Sequence, residues 1–186
     1  MVGLYWAISY IIGNFMTAYF VGKAYGVNLK EERSKNLGAR NAGSVIGKSA
    51  FIWTFLGDSL KGVLVVGVGR LWHFEEWEIV LGACLVIIGH LYPFWLKFNG
   101  GKGVATFIGV GLALSPSLFF MMVVGTAITL SVTRSLTLSM LGGFLFYAGA
   151  IIFTDKLLLY IPILVAIIFM LMKHMSNIKE ALERRK

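Results

Sequence analysis

Two stretches of this chain combine glycine, asparagine and cations in a way that suits a phosphate. The first is "NGGKG", Asn99 to Gly103, which stands between two long apolar runs. Consecutive glycines before a helix let backbone N–H groups converge on an anion, and the positive end of the helix adds to them. Lys102 supplies a full charge, so Gly100, Gly101, Lys102 and Gly103 are candidate phosphate ligands. The stretch is not a Walker loop, because the required Gly-Lys-Ser/Thr spacing and the preceding strand are missing. A flexible basic turn would have the same composition. The second stretch is "NLGARNAGSVIGKSA", Asn36 to Ala50, richer in Gly and Asn than a mere connector needs. Ser34, Asn36, Asn41 and Ser44 can hydrogen-bond an oxyanion, and Arg40 can grip a phosphate bidentately. A solvated loop with ordinary turn residues is the alternative.

Other polar groups sit within or beside apolar runs. Asp58 and Lys61 in "LGDSLKG" are three residues apart and share a helix face, which predicts a structural ion pair. His90 in "GHLYPF" could line a site, cap a helix or simply pack. His174 and Asn177 in "KHMSNIKEAL" also share a face; they form an interfacial stripe or reach into a site built by the loops.

These groups need elements to position them, and the composition says which kind. Hydrophobic residues make up 58% of the 186 residues and charged residues only 14%, where a soluble domain carries roughly 25% charged residues. Seven runs are apolar enough to be membrane spans: 3–21, 49–69, 77–96, 103–114, 117–133, 136–153 and 157–173. The fourth is short. The first lacks a basic leader and a small-residue cleavage site, so a retained helix is expected. Cys84 is the single cysteine, which excludes a disulfide within the chain and a metal site of paired cysteines. One domain, residues 1–186, is expected.

The net charge of +8 is unevenly distributed. Most of the cations lie in 22–48, in 97–102, at Arg134 and in the tail from Lys173 to Lys186. With seven spans these segments share one side. The other side holds Arg70 and Lys156 with Glu75, Glu76, Glu78 and Asp155. The positive-inside rule then puts the N-terminus outside and the C-terminus in the cytoplasm. The expected fold is an all-α integral membrane protein of about seven transmembrane helices. All the candidate site groups fall on its cytoplasmic side, where a basic, glycine-lined pocket would suit chemistry between a soluble phosphate compound and a lipid. A transporter for a small anion would instead need polar residues along a route across the bilayer, and spans five to seven are apolar through their middles.

The residues also resemble a family, the bacterial acyl-phosphate-dependent glycerol-3-phosphate acyltransferases. The resemblance rests on "SKNLGARNAGSVIGK" (Ser34 to Lys48), "LGDSLKG" (Leu56 to Gly62), "GHLYPFWLKFNGGKGVAT" (Gly89 to Thr106), Thr133-Arg134 and "KHMSNI" (Lys173 to Ile178), collinear over nearly the whole chain. It implies a multi-pass enzyme of the bacterial cell membrane with its active site facing the cytoplasm. The implied reaction moves a fatty acyl group from acyl phosphate to the 1-hydroxyl of sn-glycerol 3-phosphate, giving lysophosphatidate and phosphate. No metal or other cofactor is implied, nor acyl-CoA or acyl carrier protein. The expected partners are the two substrates, membrane lipid and a soluble enzyme that makes acyl phosphate; nucleic acid is not expected.

On this reading Lys102, His174, Asn177 and Ser34 are the catalytic candidates; no general base is named, although His174 is the obvious candidate for one. Asn36, Arg40, Asn41, Lys97, Gly100, Gly101, Gly103, Thr106, Arg134, Thr137 and His90 would bind substrate or phosphate. The chain departs from the family pattern at Lys35 (family Gly), Arg40 (family Thr) and Ser44 (family Arg). The Arg missing at Ser44 is expected to bind phosphate. Arg40, four residues earlier, could supply the same charge; a divergent paralogue with altered or lost acceptor use is the alternative. Thr137 stands for a family Ser and keeps the hydroxyl.

Overall fold

The computed structural model describes residues 1–183. Arg184, Arg185 and Lys186, part of the basic tail used to orient the chain, lie outside the described residues. Among the described residues all regular structure is helical: α1 (Val2–Asn14), α2 (Thr17–Ala24), α3 (Ala39–Val45), α4 (Lys48–Leu71), α5 (Glu76–Leu91), a 3-10 turn (Phe94–Leu96), α6 (Val104–Leu114), α7 (Pro116–Thr133), α8 (Leu136–Ile152) and α9 (Leu157–Glu183). Five stretches are long and apolar enough to cross a membrane: Val2–Ala24, α4, Glu76–Leu96, α7 and α9. The apolar helices α6 and α8 are shorter. Each of the seven expected runs contains helix, and five of them are long enough to cross.

The helix boundaries have local causes. Ser115 and Ser135 cap α7 and α8 by accepting from the amides of Leu118 and Leu138, and Pro116 opens α7 where its missing N–H costs nothing. The Glu78 carboxylate reaches back to the Glu75 amide at 2.9 Å and closes the first turn of α5.

α5 is the central helix. Its stretch is 67% buried, against 17% for α7. It packs on α1, α4 and α9, while α6 lies on α4, and α7 and α8 form a hairpin that leans on α9. Where α1 crosses α5, Gly13 meets the backbone of Val86 and Gly89 meets the Tyr10 carbonyl. A side chain at either position would push the helices apart, and small residues at such crossings are how membrane helices approach closely. Val86, Ile87, Leu91, Phe107, Val110, Tyr147, Ile163 and Met170 fill the core. Many large apolar side chains on the outside remain exposed, among them Trp53, Phe120, Leu145 and Leu158, as lipid contact requires.

Three features differ from the expectation. The first span is not one helix, since it breaks at Phe15–Met16 between α1 and α2. A break frees backbone carbonyls that lipid cannot satisfy. Here Lys61 of α4 donates to Gly13 O at 3.1 Å and Phe15 O at 2.8 Å, and Trp95 Nε1 donates to Asn14 O at 2.9 Å. The loop 22–48 contains a further helix, α3. Finally, α9 continues past residue 173 to Glu183 as one helix, which carries His174 and Asn177.

Candidate active site

The turn between α5 and α6 holds "NGGKG" but uses it differently from the expectation. After the 3-10 turn, Lys97 and Phe98 adopt left-handed backbone (φ 53° and 57°), and the chain doubles back on α5. The Gly100 amide donates to Leu91 O and the Gly101 amide to His90 O, each at 3.1 Å. These two amides cap α5 and do not cradle an anion. Their glycines are required by close approach instead: a Cβ on Gly100 would strike the His90 carbonyl, and one on Gly101 the His90 imidazole. Lys97 is exposed and lies outside the cavity described next. The anion-suited part of the turn is Lys102, Gly103 and the start of α6, where the first amides of the helix have no partner within it.

That start opens into a cavity of ≈ 560 Å³. The cavity is lined by Lys102, Gly103, Val104 and Ala105 at the start of α6 and by Ser34, Asn36, Arg40, Asn41 and Ser44 from the first loop and α3. α9 contributes His174, Asn177 and Glu180, and the base includes Asp58 and His90. Phe51 and Phe55 of α4 and Leu136 and Met140 of α8 add apolar lining. A second cavity of ≈ 420 Å³ adjoins it, lined by Arg134, Thr133 and Ser135, and shares Arg40, Thr137 and Asn177 with the first. Arg134 therefore belongs to the second cavity and Thr137 to both. Thr106 is fully buried inside α6 and lines neither.

The side chains on the walls are fixed. The Lys102 ammonium donates to Asn177 Oδ1. Burial, and then the nearby Arg40 guanidinium, hold Lys102 below the usual lysine range; Glu180 opposes this shift and Lys173 adds to it. His174 Nδ1 lies 2.8 Å from Met170 O. A carbonyl only accepts, so Nδ1 carries the proton and Nε2 is left as an acceptor. Asn41 works differently from the expectation. Its Oδ1 accepts from the Ser34 amide and hydroxyl at 3.3 and 3.0 Å, and its Nδ2 donates to Leu29 O and Glu32 O. Asn41 thus braces the loop and holds the Ser34 proton, and neither group has a donor left over for a ligand. The Ser44 hydroxyl donates to Asn41 O at 2.9 Å. Arg40, one turn before it on α3, reaches both cavities.

The expected Asp58–Lys61 pair is present at 3.1 Å, with both side chains at most 5% exposed. Thr17 of α2 donates to the same Asp58 oxygen at 3.0 Å. His90 is part of this cluster, its Nδ1 2.7 Å from Lys61 Nζ.

The sequence reading did not name Glu180 or the apolar lining. Both left a signal: Glu180 follows His174 and Asn177 at three-residue spacing, and Phe51 and Phe55 are four apart on α4, their rings stacked with centroids at 6.0 Å.

Fold and site together define a class: an integral membrane helical bundle holding a chamber lined by both cationic and apolar side chains. The family model for glycerol-3-phosphate acyltransferase matches residues 3–184. A glycerol-3-phosphate acyltransferase of Geobacillus kaustophilus is 33% identical over 99% of this chain and 94% of its own length, and one of Bacillus subtilis is 35% identical over 99% and 95%. A Bacillus cereus glycerol-3-phosphate acyltransferase 1 is 50% identical over 107 residues, a match that spans 57% of this chain and 59% of that relative. The crystal structure of PlsY, an integral membrane glycerol 3-phosphate acyltransferase, in its glycerol 3-phosphate form, superposes with a TM-score of 0.87 at 24% identity, over 100% of this chain and 94% of that one. Its lysophosphatidic acid form gives 0.86. The chain belongs to the glycerol-3-phosphate acyltransferase family.

Proposed function

We propose that the protein transfers a fatty acyl group from acyl phosphate to the 1-hydroxyl of sn-glycerol 3-phosphate, releasing lysophosphatidate and inorganic phosphate on the cytoplasmic side of a seven-span bundle. The observation that carries this reading is one cavity lined both by Lys102, Arg40 and the start of α6 and by apolar Phe51, Phe55, Leu136 and Met140. A molecule with a phosphate at one end and a hydrocarbon at the other fits such a chamber. The relatives act on glycerol 3-phosphate by name, and PlsY structures exist in glycerol 3-phosphate and lysophosphatidic acid forms.

The acyl phosphate places its phosphate against Lys102 and the α6 amides, with its chain along the apolar lining. Glycerol 3-phosphate enters through the adjoining cavity, its phosphate against Arg40 and Arg134. The 1-hydroxyl oxygen then attacks the acyl carbon, the bond from that carbon to the bridging oxygen breaks, and phosphate leaves with the electron pair. The hydroxyl proton passes to His174 Nε2 and on to the departing phosphate. The donor is already activated, so positioning and charge stabilisation supply most of the rate. Arg40 takes the phosphate-binding part of the family Arg that Ser44 replaces. A soluble enzyme that makes acyl phosphate is the expected supplier of the donor.

The test is phosphate release from palmitoyl phosphate by protein in lipid, with and without glycerol 3-phosphate. Release that requires the acceptor, yields lysophosphatidate and disappears in Lys102→Ala supports the reading. No release from folded protein overturns it in favour of a divergent paralogue.

A further inference from the structure

Lys61 is an ammonium with three N–H groups, and four acceptors surround it: Gly13 O at 3.1 Å, Phe15 O at 2.8 Å, Asp58 Oδ1 at 3.1 Å and His90 Nδ1 at 2.7 Å. An ammonium only donates. The shortest of these contacts therefore makes His90 Nδ1 an acceptor, without a proton. Asp58 Oδ1 lies 3.7 Å from the same nitrogen, too far to draw a proton there. A neutral imidazole with a bare Nδ1 carries its proton on Nε2.

That second nitrogen has no protein partner among the described residues. The His90 side chain is 3% exposed and lines the cavity. Its Nε2 faces Gly101, where only a glycine leaves room for it, next to Lys102. An N–H that lines a cavity and has no protein partner is left for a ligand or water to meet.

We infer that His90 is a neutral hydrogen-bond donor to the anionic substrate, its Nε2–H aimed at an oxygen of the acyl phosphate, and that Asp58 and Lys61 are positioning residues that fix this tautomer. The inference rests on the reaction proposed above for the identity of the substrate, but the tautomer itself does not. The two histidines of the chamber are then opposite in kind: His174 offers a bare Nε2 and His90 offers an N–H. A second proton cannot join His90, because it would have to sit on Nδ1 and face the Lys61 ammonium. The charged groups around the ring are Lys61 and Asp58 of α4 and Lys173 of α9, so two cations stand against one carboxylate.

The chain has 3 histidines, so nitrogen NMR of ¹⁵N-histidine protein in lipid nanodiscs resolves them, with His90→Gln giving the assignment. The expected result is an Nε2–H tautomer at His90, unchanged between pH 6 and pH 8, with a resonance that moves when inorganic phosphate is added. An Nδ1–H tautomer, a protonated ring in that range, or no response to phosphate overturns the inference. In turnover, His90→Leu is expected to lower kcat about 10²-fold, the effect of removing one preorganised donor, with KM for glycerol 3-phosphate unchanged. His90→Gln, whose amide can place an N–H near the same point, should recover part of that loss. Equal loss in both variants counts against a donor role. If the wild-type protein transfers no acyl group while the tautomer and the phosphate response are as expected, the reaction is wrong and the donor stands.

Discussion

The base of the chamber and its rim carry similar residues in opposite arrangements. At the base Asp58, Lys61 and His90 are buried and Thr17 is half-buried, and every Lys61 proton has an acceptor. At the rim neither Arg40 nor Lys102 has a salt-bridge partner among the described residues. Inside a bilayer an unpaired charge is expensive, so the base neutralises itself and holds helices together. At the rim Arg40 is exposed and Lys102 half-buried, so water tolerates the charge, and an excess of cations is left for an anion to meet. The same lysine side chain is therefore structural at position 61 and suited to a ligand at position 102.

The largest effect expected is at the base. Lys61→Met removes the cation beside Asp58 and strips Gly13 O and Phe15 O of their donor, which should destabilise the protein by about 3–5 kcal/mol. Thermal unfolding in detergent measures it, and an unchanged melting temperature would erase the contrast. At the rim, Lys102→Ala should lower kcat/KM by about 10²–10³-fold, as loss of one charge-stabilising group does, and leave the melting temperature near that of the wild type. Arg40→Ala should raise KM for glycerol 3-phosphate about 10-fold, the scale of one charge-assisted hydrogen bond. Adding Ser44→Arg should reverse it; an Arg40→Ala protein with unchanged KM would show that Arg40 does not replace the family arginine. The smallest effect is in pH. Lys102 sits below the usual lysine range, so its charge is lost on the alkaline side earlier than for an exposed lysine. Phosphate binding favours the charged form, so affinity should fall as pH rises through the lowered pKa. Lys102→Arg, always charged, should bind phosphate without that fall.

Sequence and structure agree where a contact is local. The Asp58–Lys61 pair follows from three-residue spacing on a helix, and the apolar runs gave the helices. Lys102 was legible as a cation beside a helix start. The work of Gly100 and Gly101 was not, because their amides close onto carbonyls of α5 that no composition rule marks. Asn41 reads as a ligand in the sequence because a brace and a ligand use the same amide. The break at Phe15–Met16 lies inside an unbroken apolar run, and the group that satisfies it is 46 residues further on. His90 was visible as a polar residue at a helix end, but its proton is assigned only by Lys61, which stands on another helix.

The broken first helix also bears on how the chain is made. Residues 2–24 leave the ribosome before Lys61 is synthesised, since chains emerge N-terminus first. Until α4 docks, a kinked segment would hold bare carbonyls in hydrocarbon, so an unbroken helix is the form that satisfies its own backbone. The kink is then a product of assembly. It needs both α4, which brings Lys61 to Gly13 O and Phe15 O, and the turn after α5, which brings Trp95 to Asn14 O.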